Sequence, residues 1–307
     1  MRLVVAAEEA AGVRLLRGLA ERPHEVVRVL TSSPPAASPG PGPADVAAAW
    51  GLDTGPAERV MEASFADELR TLAVDLLLNV HSLFILPDAV LEAPRLGAYN
   101  LHPGPLPAYA GLDVVSWAIL NGETRHGVTI HRMVSRVDAG PIAYEASFDL
   151  GAGDSALAVS ARCARQGVAL MLQLVDAAAA GDPIPAKEQD LALRRVYRHE
   201  VPSGGRLSWR ASAAEVVRFV RACDFFPLAS PWGHPTAWKD GREIGIVKAE
   251  TSSRPTSAAP GSVRVTGGTD VEVSAADEWV TVRMVEWAGR LMDPFDVLQH
   301  GDALRDG

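Results

Sequence analysis

The run Asn100-Leu101-His102-Pro103-Gly104-Pro105-Leu106-Pro107 places an amide and an imidazole two residues apart, directly ahead of a loop dominated by proline and glycine. Side chains two apart on a strand share a face, so a strand ending here brings Asn100 and His102 to one spot. An amide N–H can stabilise negative charge developing on a carbonyl oxygen. An imidazole, with an ordinary pKa of ~6.5, can accept and return a proton near neutrality. The prolines limit the freedom of the loop and lower the entropic cost of holding such a site. A Pro-rich turn with Asn100 as a cap explains the same spacing equally well. Further on, Asp138 lies in Val137-Asp138-Ala139-Gly140-Pro141, where an Asp close to a Gly-Pro pair is ordinarily just a turn.

The elements that would position these residues follow from periodicity. Leu3 to Ala6 and Val26 to Leu30 read as buried strands, separated by an amphipathic helix over Glu8 to Glu21. Thr31 to Pro43 is too rich in proline and glycine for regular structure. Helices are expected near Asp45 to Trp50 and over Phe65 to Thr71, the latter feeding a strand over Asp75 to Val80. Strands that are apolar throughout and alternate with helices mark a parallel sheet covered on both faces. In such folds ligands gather beyond the carboxyl ends of the strands, and Gly97 to Leu101 delivers the Asn100/His102 loop there. Val114 to Asn121 fits a helix, Gly127 to Met133 an alternating strand, and Ile142 to Phe148 a strand pairing with it. Ser155 to Ala180 is a long alanine-rich helix, stopped by Gly181-Asp182-Pro183. Past a linker with the Gly204-Gly205 pair and a helix over Ala213 to Ala222, short strand-like runs recur with turn signals roughly every ten residues. The expected fold is an α/β, Rossmann-like and mostly parallel sheet over residues 1–186, a linker over 187–204, and a smaller, β-rich, barrel-like domain over 205–307.

Composition bounds the function. The chain has 307 residues, 48% of them hydrophobic, which suffices for a sizeable core. Its formal charge of −9 argues against a protein that lives on nucleic acid. Cys163 and Cys223 make neither a disulfide framework nor a metal cluster, and Cys163 reads as a small buried hydrophobe within a helix. His81, His102, His126 and His131 lack ligand spacing, so no metal is expected. The apolar start is too short for a signal peptide and no run is long enough to span a membrane, so a cytoplasmic protein without membrane partners is expected.

Taken together, Asn100/His102/Pro103 and Asp138/Gly140 resemble the Asn-x-His-Pro and Asp-x-Gly elements of the folate-dependent formyltransferases. The text between them fits as well: Leu106-Pro107-Ala108-Tyr109, Asn121-Gly122-Glu123 and Gly127-Val128-Thr129-Ile130-His131-Arg132-Met133. Gly205-Arg206-Leu207-Ser208-Trp209 resembles the opening of that family's C-terminal domain. The similarity is dense over residues 74–150 and thinner before them. It implies transfer of a formyl group from 10-formyltetrahydrofolate to a primary amine, a biosynthetic one-carbon transfer. On that basis Asn100 would donate to the formyl oxygen. His102 would relay a proton from the amine to the departing folate nitrogen, and Asp138 would orient His102 and favour its protonated form. The resemblance also assigns Phe84, Ile85, Leu86, Pro87, Val137 and Asp138 to the folate pocket, and Tyr109 and His131 to the amine. A structural His131 competes with that last role, His126 is expected to be solvated, and Trp117 to pack in a core.

The acceptor is less legible. No Lys or Arg occurs from Thr31 to Trp50, where the methionyl-tRNA branch carries a basic insertion, and residues 107–111 lack that branch's Arg. The second domain exceeds a minimal glycinamide ribonucleotide enzyme, and a folate hydrolase is expected to carry an N-terminal domain for which there is no room before Leu3. A small amine therefore leads: an amino-sugar nucleotide, or an amino acid or amine of a specialised pathway. Methionyl-tRNA is the alternative, and a folate-binding module without catalysis comes third, against which the intact Asn100/His102/Asp138 set argues. The C-terminal domain could contact substrate, support a homodimer or extend the cleft wall.

Overall fold

The computed structural model describes residues 1–32 and 40–307; the middle of the Pro/Gly-rich run, residues 33–39, lies outside the described residues. Contacts divide the chain into two compact units. The first comprises 1–111, 126–148 and 161–196, the second 112–125, 149–160 and 197–307.

The first unit is built on β1 (Arg2–Ala7), α1 (Glu9–Ala20), β2 (Glu25–Thr31), α2 (Pro43–Ala49), β3 (Thr54–Pro56), α3 (Phe65–Thr71), β4 (Leu76–Val80), α4 (Asp88–Leu91) and β5 (Gly97–His102). A short β6 (Ala110–Gly111) follows the proline loop. After α5 (Val114–Leu120), which belongs to the second unit, come β7 (Arg125–Arg132), β8 (Ile142–Asp149) and the 25-residue α6 (Ala156–Ala180). The sheet runs β3-β2-β1-β4-β5-β7-β8. Its first five strands are parallel, and β7 turns back antiparallel to β5. The residues dictate the layering: every residue of β4 is buried, as a strand covered on both faces requires. Val4, Leu77, Phe65, Leu69, Val90 and Ala98 share one core cluster under α3 and α4. Gly167 lets α6 lie close on the sheet, since a Cβ there would come within 2.8 Å of Leu101 and Val128 side chains. Leu101 thus anchors β5 from one face while Asn100 and His102 present the other.

The mostly parallel sheet and the β-rich C-terminal part match the expectation. The antiparallel direction of β7 was not legible, because alternation reveals a strand but not its sense.

In the second unit, α7 (Ala213–Cys223) starts on a capping box: the Ser212 amide donates to Glu215 Oε2 at 2.9 Å, and Ser212 Oγ accepts from the Glu215 amide at 3.3 Å. An antiparallel, barrel-like sheet is centred on Arg242–Pro255 paired with Glu278–Trp287. Trp117, expected in a core, is half-buried in an aromatic cluster, its ring 5.3 Å from Tyr197 and 4.9 Å from Trp232, and Trp232 Nε1 donates to Asp113 at 3.1 Å. Among the described residues no helix is long and apolar enough to cross a membrane.

Candidate active site

Strand register assembles the site. Asn79 on β4 lies opposite Asn100 on β5, and Asn100 lies opposite His131 on β7. Three polar side chains therefore stand abreast on adjacent strands of an apolar sheet. Asn79 Nδ2 donates to Asn100 Oδ1 at 2.9 Å and to the Ser82 carbonyl at 3.0 Å. Asn100 Nδ2 lies 3.2 Å from His131 Nε2, and His131 Nδ1 donates to the Arg132 carbonyl at 3.0 Å. With its proton on Nδ1, His131 uses Nε2 as the acceptor.

His102 is two residues past Asn100 and faces Thr129 in register. The buried Thr129 hydroxyl donates to the Gly104 carbonyl at 2.8 Å and accepts from the Leu106 amide at 3.2 Å, pinning the proline loop to β7. His102 Nε2 donates to the Tyr109 carbonyl at 2.5 Å, so the loop itself fixes the ring and leaves Nδ1 as the basic nitrogen. Asp138 sits at φ 52°, a left-handed position in its turn. Its Oδ2 accepts from the Gly111 amide at 2.8 Å. Its Oδ1 lies 3.7 Å from His102 Nδ1 and 3.4 Å from His131 Nε2. The turn is braced by Gln189 Nε2, which donates to the carbonyls of Asp138 at 3.1 Å and Gly140 at 2.6 Å, and by Arg194, which donates to the Val137 carbonyl at 2.7 Å. A Cβ at Gly140 would collide with the Arg132 carbonyl, which is why the turn needs glycine there.

Burial governs the charges. His102, 3% exposed, has its pKa pushed below the usual imidazole value by desolvation, which outweighs the opposite pull of the Asp138 charge and the Tyr109 carbonyl. The resting ring is neutral. Burial pushes the Asp138 carboxyl up, but His102, His131 and the Gly111 amide together hold it well below the ordinary carboxylate range, so it stays ionised. Asp138 thus draws His102 toward the protonated form, as the sequence implies, yet burial prevails, and the Tyr109 carbonyl rather than the carboxylate orients the ring.

The remaining predicted residues separate by exposure. On the loop leaving β4, Phe84 and Leu86 pack into the core cluster, Pro87 precedes α4, and Ile85 stands 68% exposed. Val137 is 47% exposed beside Asp138. Tyr109 is buried with its ring edge-on to His126, and it is its carbonyl that reaches the cluster. His126 is a correction: it is 1% exposed, not solvated, and its Nε2 donates to the Pro103 carbonyl at 2.8 Å. Its ring belongs to the support of the loop. His131 is buried inside the cluster, joined to Asn100 and facing Asp138. Sequence reasoning missed Asn79, Thr129 and Gln189. The lone polar residue in Leu76-Leu77-Leu78-Asn79-Val80 was a usable signal for Asn79; Gln189 lies where a linker was expected and carried none. Among the described residues no group of His, Cys, Asp and Glu could hold a metal ion.

A half-buried amide donor stands beside a buried neutral imidazole and a buried carboxylate at the carboxyl edge of an α/β sheet, groups of the kind that can serve acyl transfer. The formyl transferase family model matches residues 1–175, and the model of the formyl transferase C-terminal domain matches residues 201–300. The chain is 30% identical to a methionyl-tRNA formyltransferase of Solibacter usitatus over 86% of this chain and 84% of that one. It is 27% identical to the methionyl-tRNA formyltransferase of Citrifermentans bemidjiense over 100% of this chain and 95% of that one. The fold is shared with a crystal structure of the N-formyltransferase from Helicobacter canadensis in complex with folinic acid and dTDP-3-aminofucose. That likeness has a TM-score of 0.69 at 15% identity, covering 91% of this chain and 98% of the other. The chain belongs to the formyl transferase family, whose members transfer a formyl group from 10-formyltetrahydrofolate.

Proposed function

We propose that this enzyme formylates the primary amine of a small molecule, with Asn100, His102 and Asp138 as its catalytic residues. Their convergence in one cluster, with His102 and Asp138 buried and Asn100 half-buried, carries the reading. Asn100 Nδ2 donates to the formyl oxygen as charge builds there, an interaction typically worth ~2.7–4 kcal/mol. His102 Nδ1 accepts a proton from the amine as its nitrogen bonds the formyl carbon, and Asp138 stabilises the imidazolium. The same proton then goes to the folate N10 as its bond to the formyl carbon breaks, which returns His102 to its neutral form. Ile85 and Val137 give the folate ring exposed apolar surface, with Phe84, Leu86 and Pro87 supporting that loop and Asp138 closing the pocket at its turn. Tyr109 contributes its carbonyl to His102, and His131 holds Asn100 on the amine's side.

The acceptor assignment rests on charge. The carboxyl end of β1 leads into Glu8 and Glu9, where α/β sheets receive their ligands. Glu9 keeps a largely exposed side chain paired with His81 at 2.9 Å. Carboxylates there favour an amine and repel a polyphosphate, and the net charge of −9 acts in the same sense. The curated relatives favour the second reading, methionyl-tRNA. Formyl transfer from 10-formyltetrahydrofolate should be measured against dTDP-amino sugars, small amino acids and diamines, and methionylated initiator tRNA. Turnover with a small amine alone supports the assignment. Efficient formylation of the tRNA, with a KM that climbs steeply with salt, would replace it.

A further inference from the structure

The oxyanion role of Asn100 demands that its Nδ2, not its Oδ1, face the reaction, and a carboxamide can turn either end. The side chain alone does not decide which. Around it runs a chain of hydrogen bonds tied at both ends to backbone carbonyls, which can only accept. At one end the Ser82 carbonyl, 3.0 Å from Asn79, requires a donor, so the Asn79 atom there is Nδ2. The same Nδ2 spends its other hydrogen on Asn100, 2.9 Å away, and so requires Oδ1 of Asn100 on that side. At the other end His131 Nδ1 lies 3.0 Å from the Arg132 carbonyl, and in the Nδ1–H tautomer its Nε2, which also lies 3.4 Å from Asp138 Oδ1, is left to accept from Asn100 Nδ2. Reversing the amide of Asn100 would set oxygen against His131 Nε2 and N–H against N–H at Asn79.

We infer that Asn79 is a positioning residue that orients the Asn100 amide so that its Nδ2 faces the formyl oxygen. The inference rests on the proposed role of Asn100. Asn79 is 4% exposed in a strand otherwise composed of Leu and Val, and its own Oδ1 is buried with no hydrogen-bond partner among the described residues. An apolar side chain would fill that place without an unsatisfied acceptor. The unfavourable term is explained if the Nδ2 of Asn79 is what the position supplies. Asn100 retains a second Nδ2 hydrogen that no described residue accepts, available to a ligand oxygen.

The test avoids the unidentified acceptor by using 10-formyl-5,8-dideazafolate, a stable donor analogue, labelled with 13C in its formyl group. Difference infrared spectra report the formyl C=O stretch when bound to wild type, Asn79→Asp, Asn79→Ala and Asn100→Ala. Wild type should shift the stretch to lower wavenumber. Asn100→Ala and Asn79→Asp should both lose that shift while still binding the analogue, because a carboxylate at 79 only accepts and turns Nδ2 of Asn100 toward itself. Asn79→Ala, which merely frees the amide, should lose part of it and cover the case in which the carboxylate variant does not fold. A shift lost in Asn100→Ala but kept in both Asn79 variants overturns the inference and leaves the role of Asn100 standing. A wild type without any shift removes both. In the free enzyme, 15N spectra should find His131 as the Nδ1–H tautomer at neutral pH; an Nε2–H tautomer contradicts the direction of the chain.

Discussion

A neutral His102 whose ring is held through Nε2 makes a base of Nδ1, and its pH behaviour has a definite sign. Burial depresses its pKa, so the acid limb of kcat should fall below the ordinary imidazole value of ~6.5. Asp138 raises that pKa, so Asp138→Asn should move the acid limb to still lower pH while lowering kcat; a limb that moves up would contradict the assignment. Stability follows the same groups. The unfolded chain takes up a proton on His102 below about 6.5 that the native state resists, so His102 disfavours folding progressively as pH falls from there. The depressed carboxyl of Asp138 adds stability that is present above its unfolded value of about 3.9 and is lost as pH falls toward its native value. Both act in one direction, toward acid lability. At this scale the sequence was most informative for Asn100 and His102, because a spacing of two on a strand end has a direct geometric meaning. Asp138 lies 36 residues past His102, reached only through a turn, and no local pattern announces it. The family resemblance supplied it.

Individual side chains are placed by the elements, and here β7 is decisive. Running antiparallel to β5, it sets His131 beside Asn100 and Thr129 beside His102. Thr129 shows how strand and loop are joined. Its hydroxyl satisfies one donor and one acceptor of the Gly104–Leu106 backbone. Thr129→Val keeps the shape and removes both bonds, leaving a buried carbonyl and amide unpaired at about 1–3 kcal/mol each. Thermal unfolding should show the loss of stability, and kcat should fall because His102 is held by the same loop; an unchanged midpoint would show that the loop is anchored otherwise. Most of the helices and buried strands were legible from periodicity, α3 to the residue and β4 to within one, but the four-residue α4 was not. Strand direction was not, since it depends on which neighbour a strand finds. His126 was misjudged for a related reason: the start of a strand looks exposed until Pro103 and Tyr109 fold over it.

Across the whole molecule, net charge frames the choice of acceptor. Under the small-amine reading, a chain at −9 with carboxylates following β1 has little to gain from a phosphate backbone, whereas a small amine binds without counterion release. The KM for a small amine should therefore change little between 50 and 200 mM salt, over which a tRNA substrate bound through ~6–10 phosphates loses ~10³–10⁵ in affinity. The resemblance of both the N-terminal and the C-terminal stretch to one family was legible, as the matching family models show. The interleaving of 112–125 and 149–160 with the C-terminal unit was not, because a change in texture along a chain cannot show which segments fold back.

The central claim is that Asn100, His102 and Asp138 together move the formyl group, and His102→Ala tests it most directly. Donor binding and formyl transfer should be followed side by side in this variant, with the best acceptor found in the amine panel. The expected result is unchanged donor affinity with transfer slowed by ~10²–10⁴, the usual contribution of a positioned acid–base group. Transfer within a few-fold of wild type would show that the proton travels by another route and would contradict the account.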